Sequence, residues 1–159
     1  MTQQNGKTPS LEDYTRREYV HKRLAETIPT EYKDLSDYRT SMGIFQLGFS
    51  LAINKKGKKP IIFNFKGDKT PAIEATMIAS SALYDLGYEI GEASSRYIAT
   101  GLAKEGTEHE VVSTFTLKIE TILEHISTYL YPNVDTPKVR VSNRNNPLLK
   151  FFLPPTEVM

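Results

Sequence analysis

The chain contains no cysteine. A disulfide scaffold and any cysteine-ligated zinc or iron–sulfur site are therefore excluded, and a reducing, cytoplasmic interior is the expected home. Long hydrophobic runs are missing as well. The roughly 18 consecutive apolar residues of a membrane span occur nowhere, so no membrane partner is expected. The opening stretch is polar, carries Gly6 and Pro9, and leads into no apolar run. Residues 1–9 read as a disordered lead-in, not as a signal peptide. A large excess of one charge is missing too. A formal net charge of +1 argues against a globally basic nucleic-acid protein and leaves only local patches to consider.

The common chemical motifs are also absent. There is no GxxxxGK[ST] and no GxGxxG loop, so the usual nucleotide cradles are excluded. Gly57-Lys-Lys sits in an expected strand–loop–strand, the wrong setting for a phosphate loop. No serine lies in a nucleophile-elbow pattern. The three histidines, His21, His109 and His125, fall on expected polar helix faces, and His109 and His125 are too far apart to share a ligand. No cofactor is implied.

What is present suits one ordinary domain. The 159 residues are 39% hydrophobic and 25% charged, enough to bury a core without staples. The expected limits are 10–153 for the domain and 154–159 for a C-terminal tail. Ser10 caps a helix whose first turn holds Glu12 and Asp13. Tyr14, Val20, Leu24 and Ile28 share one side of it until Pro29 stops it. Arg16, Arg17, Lys22 and Arg23, interleaved with Glu18 and Glu26, form its solvated face. Residues 30–43 show no clear period and read as a loop with room for one short helix.

Residues 44–66 carry the strongest local pattern. Phe45, Leu47, Phe49, Leu51 and Ile53 alternate with Gln46, Gly48, Ser50 and Ala52, the period of a half-buried strand. After Asn54–Lys59 and Pro60, Ile61, Phe63 and Phe65 alternate again. The spacing predicts a β-hairpin with a lysine-rich tip. Thr70 and Pro71 then open a helix over about 71–86 that is apolar or small nearly all round, with Gly87 as its terminator. A second helix covers about 89–104. Thr107 and Glu110 form a capping box for a helix to about 131, with Val111, Phe115, Ile119, Ile122, Ile126 and Leu130 in one stripe. Val139 and Val141 alternate with Lys138 and Arg140 as a short strand. Leu148–Leu153 is a last strand or an apolar tail.

These elements suggest an α+β fold, a small antiparallel sheet built on the hairpin and packed against three or four helices. Two basic clusters are the candidate site. Lys55, Lys56, Lys58 and Lys59 crown the hairpin, where a loop of ammonium groups could contact phosphates. The plainer account is a lysine-rich turn that aids solubility and discourages edge pairing. Lys138, Arg140 and Arg144 lie in a segment free of acidic residues between Asp135 and Glu157, and could extend a phosphate-binding face. Asp85, Glu89 and Glu92 have helical spacing and could hold a divalent ion, except that a helix end at Gly87 would separate them.

Three functions follow. The first is a small non-enzymatic protein that grips nucleic-acid backbone by charge and shape. The second is a structural or adaptor subunit of a homo-oligomer or larger complex, docking through Leu148–Leu153. The third is a metal-dependent nuclease using the acidic trio.

Overall fold

The computed structural model describes residues 8–61, 66–104 and 107–132. Every regular element among them is helical: α1 (Leu11–Tyr14), α2 (Arg17–Ala25), a 3-10 turn (Thr30–Tyr32), α3 (Tyr38–Ile53), α4 (Pro71–Lys104) and α5 (Glu108–Leu130). The expected α+β fold and its hairpin are therefore wrong. The first strand is α3, and residues 62–65 of the second lie outside the described residues.

The physical reason is visible in α3 itself. Its alternating apolar residues also satisfy a helical period, and the small residues between them are the packing face. Phe45, Gly48, Phe49 and Ala52, spaced i, i+3, i+4 and i+7, are buried, whereas Leu47 in the middle of the supposed apolar face is 46% exposed. Asp37 starts the helix, its carboxylate accepting the N–H groups of Arg39 at 3.1 Å and Thr40 at 3.4 Å. That cap satisfies two of the donors a helix start leaves open.

Gly87 also behaves differently from expectation. It lies inside one continuous helix from Pro71 to Lys104, because its missing side chain serves packing and not termination. A Cβ on Gly87 would lie 2.2 Å from the Phe45 carbonyl oxygen, and one on Gly48 would lie 2.2 Å from that of Tyr84. Helices α3 and α4 thus meet backbone to backbone. Ser36 and Asp37 bond Ala75 and Thr76 near the two helix starts, while Ala52 meets Gly91 further along. The two helices are parallel.

Other pairings fix the rest. Helix α5 returns antiparallel to α4, with Val111 at Gly101 and Phe115 beside Tyr97. The α1–α2 arm runs with α5: Glu12 meets Lys118, Thr15 meets His125, and Ile28 meets Tyr129. The order is up, down, down, up, a four-helix bundle with α1–α2 as one broken member and a long crossover between the parallel helices α3 and α4. The core is the inward stripe of each member, including Tyr14, Leu24, Phe45, Phe49, Leu83, Ile90, Phe115, Ile119 and Ile126.

Several expectations hold. Thr70 Oγ accepts the Ile73 N–H at 3.1 Å at the start of α4. The Thr107–Glu110 capping box forms at 3.1 and 3.2 Å, and the whole expected α5 stripe is buried. Tyr14, Val20, Leu24 and Ile28 are buried as well. Their helix, however, breaks after Tyr14, where Thr15 Oγ turns back to the Glu12 carbonyl at 2.6 Å. Glu120 on α5 is buried as well, a charged residue within the bundle. The C-terminal strands proposed at 138–153 lie outside the described residues.

Candidate anion-binding groove

The lysine cluster sits where α3 ends and the crossover begins, not on a hairpin tip. Asn54 closes α3, and Lys55 adopts a left-handed conformation (φ 59°) that turns the chain back toward the helix starts. Lys56 N–H bonds the Leu51 carbonyl at 2.8 Å, a helix-ending turn that satisfies a terminal carbonyl. From there the crossover runs back along α4 toward its start and is pinned at successive points. Tyr88 donates its hydroxyl to the Lys56 carbonyl at 3.4 Å, Lys58 Nζ meets Asp85 at 2.7 Å, and Lys59 N–H bonds the Tyr84 hydroxyl at 2.8 Å.

This divides the four lysines by role. Lys58 is a clamp, and its partner Asp85 raises its pKa through a direct hydrogen bond. Both side chains are 48% exposed, so the pair adds little to stability. Lys59 is held through its backbone. Lys55 and Lys56 instead line a groove of about 340 Å³ together with Ala52, Gly57, Tyr88, Glu92, Ser95 and Arg96. The Arg96 guanidinium donates to the Pro9 carbonyl at 2.9 Å, which holds it in place without neutralising it. Lys55, Lys56 and Arg96 form no ion pair among the described residues. Three cations therefore face one carboxylate, Glu92. An excess of positive charge in a concave, fixed setting attracts anions. The same lysines also complement the negative end of the α3 dipole.

The acidic trio is brought onto one face because α4 does not stop at Gly87. Asp85, Glu89 and Glu92 fall at i, i+4 and i+7. Two of the three are already engaged by cations. Arg23 forms a bidentate pair with Glu89 at 2.5 and 2.8 Å, and Tyr14 adds its hydroxyl to the same carboxylate at 3.1 Å. The carboxylate bond holds the Arg23 pKa well above its ordinary value, and burial followed by the Glu89 charge pushes the Tyr14 phenol up. A smaller cavity of about 110 Å³ lies between the two ion pairs, bordered by Arg23, Thr27, Lys58, Asp85 and Glu89. Among the described residues, no group of three or more histidines and carboxylates is placed to hold a metal.

Two of the three histidines, His21 and His125, are structural. His21 Nε2 donates to the His125 carbonyl at 3.0 Å, and its ring packs edge-on against Tyr129 with 5.4 Å between centroids. His125 Nε2 donates to the Thr15 carbonyl at 2.8 Å. Both therefore tie the α1–α2 arm to α5 instead of facing solvent. Burial lowers the His21 pKa.

Of the residues expected in a binding site, Lys55 and Lys56 are brought together, Lys58 and Lys59 are diverted to pinning the crossover, and Lys138, Arg140 and Arg144 lie outside the described residues. Sequence reasoning missed Tyr88, Ser95 and Arg96. Their signal is the stripe 85, 88, 89, 92, 96 on α4, which only appears once the helix is read through Gly87. Among the described residues, no helix is long and apolar enough to cross a membrane. Comparison of the chain with protein-family models, with curated proteins and with solved structures found no match.

Proposed function

We propose that this chain is a small non-enzymatic binding protein that contacts the phosphate backbone of nucleic acid through the groove of Lys55, Lys56 and Arg96. One observation carries the proposal: among the described residues, three cations without ion-pair partners converge on a single groove in whose lining Glu92 is the one carboxylate. Phosphates satisfy such charges and release condensed counterions, which supplies affinity without base readout. Any contribution of Lys138, Arg140 and Arg144 adds to this site; the proposal does not depend on it. The structural-subunit alternative rests on Leu148–Leu153, outside the described residues, and no specific observation favours it.

The test is fluorescence polarisation of a labelled oligonucleotide across a salt series. Three contacts give a slope of log affinity against log salt near −2 for a single strand, at about 0.7 per phosphate. Charge reversal at Lys55, Lys56 and Arg96 together abolishes binding. Wild-type affinity in that triple variant removes the proposal.

A further inference from the structure

We infer that the groove takes single-stranded nucleic acid in preference to duplex, with Tyr88 as the surface on which one base stacks; this rests on the phosphate-binding proposal above. Three features of the groove point the same way. The first is its size and shape. A cavity of about 340 Å³ is at the small end of ligand pockets, and it lies between a helix and a pinned loop. It admits one unstacked nucleotide unit, whereas a duplex keeps its bases stacked inside a rigid convex surface.

The second feature is the number of cations. Lys55, Lys56 and Arg96 are gathered in one place, enough for about three phosphates. Duplex binders that depend on charge spread about 6–10 such contacts along the rod.

Side-chain chemistry supplies the third. Tyr88 is the groove's aromatic residue, and its hydroxyl bond to the Lys56 carbonyl fixes the ring relative to the lysines. A charged groove that follows the backbone, combined with a ring that stacks a base, is how sequence-tolerant single-strand sites are built. Glu92 fits the same arrangement. A carboxylate opposes phosphate but accepts from exocyclic amino groups on base edges, which an unpaired strand exposes.

The experiment compares a labelled 12-nucleotide single strand with its duplex on the full chain, using polyglutamate as a competitor. The strand is expected to bind at least about tenfold tighter than the duplex, and polyglutamate of equal charge to compete poorly. Tyr88→Leu should cost the strand roughly fivefold or more in affinity, the usual effect of removing a stacking ring. Tyr88→Phe, which keeps the ring but loses the hydroxyl bond to Lys56, should cost clearly less than Tyr88→Leu, with both variants matching wild-type helicity by circular dichroism. A 2-aminopurine within the strand should be quenched on binding to the wild-type chain, a readout that needs no variant. Equal or tighter duplex binding, unchanged emission, a silent Tyr88→Leu or full displacement by polyglutamate each overturns the single-strand inference. Failure of wild-type protein to bind either nucleic acid overturns the phosphate-binding proposal itself.

Discussion

Across the α3–α4 contact, backbone meets backbone. Gly48, Gly87 and Gly91 leave no room for a side chain, and a Cβ on any of them would fall within 2.8 Å of the facing helix. Across the α1–α2 contact with α5 and α4, polar side chains bridge the gap: His21 to His125, His125 to Thr15, Tyr129 to Ile28, and Arg23 to Glu89. One interface is specified by volume and the other by hydrogen bonds and charge. The first should ignore pH and salt but tolerate no added methyl group. The second should accept modest changes in size and respond to protonation. The crossover that carries Lys55 and Lys56 is fastened to the volume-specified side, so these two lysines should keep their positions under conditions that loosen the α1–α2 arm, whereas Arg96 should lose its anchor on the Pro9 carbonyl just before α1.

The largest expected effect tests the close-packed side. Gly48→Ala or Gly87→Ala should lower unfolding free energy by about 2–3 kcal/mol, since overpacking against backbone outweighs the ~1 kcal/mol that alanine gains in a helix. The contrasting position is Gly43, on the same helix with nothing within 4 Å of an added Cβ. There the alanine should stabilise by about 0.5–1 kcal/mol. Urea denaturation of the three variants decides it. Equal responses would mean that the helices are not in backbone contact.

Next comes the ion pair of the polar side. Arg23→Ala removes a bidentate bond whose side chains are 28% and 35% exposed. Solvent screening limits the expected loss to about 1 kcal/mol, measured again in urea and diminishing in high salt.

Protonation of His21 gives a smaller effect with a definite sign. Burial lowers its folded pKa below the ordinary value of 6.5, opposed by the His125 carbonyl bond and reinforced by Arg17, His125 and Lys33. The unfolded chain therefore takes up a proton first as pH falls through about 6.5. Stability should decline from neutral pH downward and level off below the folded pKa. His21→Gln should flatten this decline over the same window, while Gly43→Ala should leave it unchanged. A decline of the same steepness in His21→Gln would assign the effect elsewhere.

Smallest of all is the exposed Lys58–Asp85 clamp. Lys58→Ala should change stability by under about 0.5 kcal/mol, yet weaken oligonucleotide binding measurably, because the crossover loses one of its attachments to α4.

The two sides also differed in how much the sequence revealed. Long apolar stripes with caps were legible: α5 from its Thr107–Glu110 box to Leu130, and the start of α4 at Thr70 and Pro71. The α3–α4 pair was not, because the signal that marks it is ambiguous. Small residues at alternate positions look like the solvent face of a strand, and a glycine after Leu86 looks like a helix terminator. Here both are the means by which two helices touch, and only the partner helix makes that meaning visible. The same misreading hid the groove, since Tyr88 and Arg96 join Glu92 on one face only when α4 continues through Gly87. Lys55 and Lys56 were visible as a charge cluster. Their separation from Lys58 and Lys59 depends on Tyr84, Asp85 and Tyr88, residues about thirty positions away in the chain.

Amide chemical-shift mapping of isotope-labelled full-length protein, titrated with a short oligonucleotide at low salt, tests the central claim most directly. Shifts should concentrate at residues 52–57 on the α3 end and at 88–96 on α4, and fade as salt is raised. Saturable shifts confined to other residues, with 52–57 and 88–96 unmoved, would contradict it.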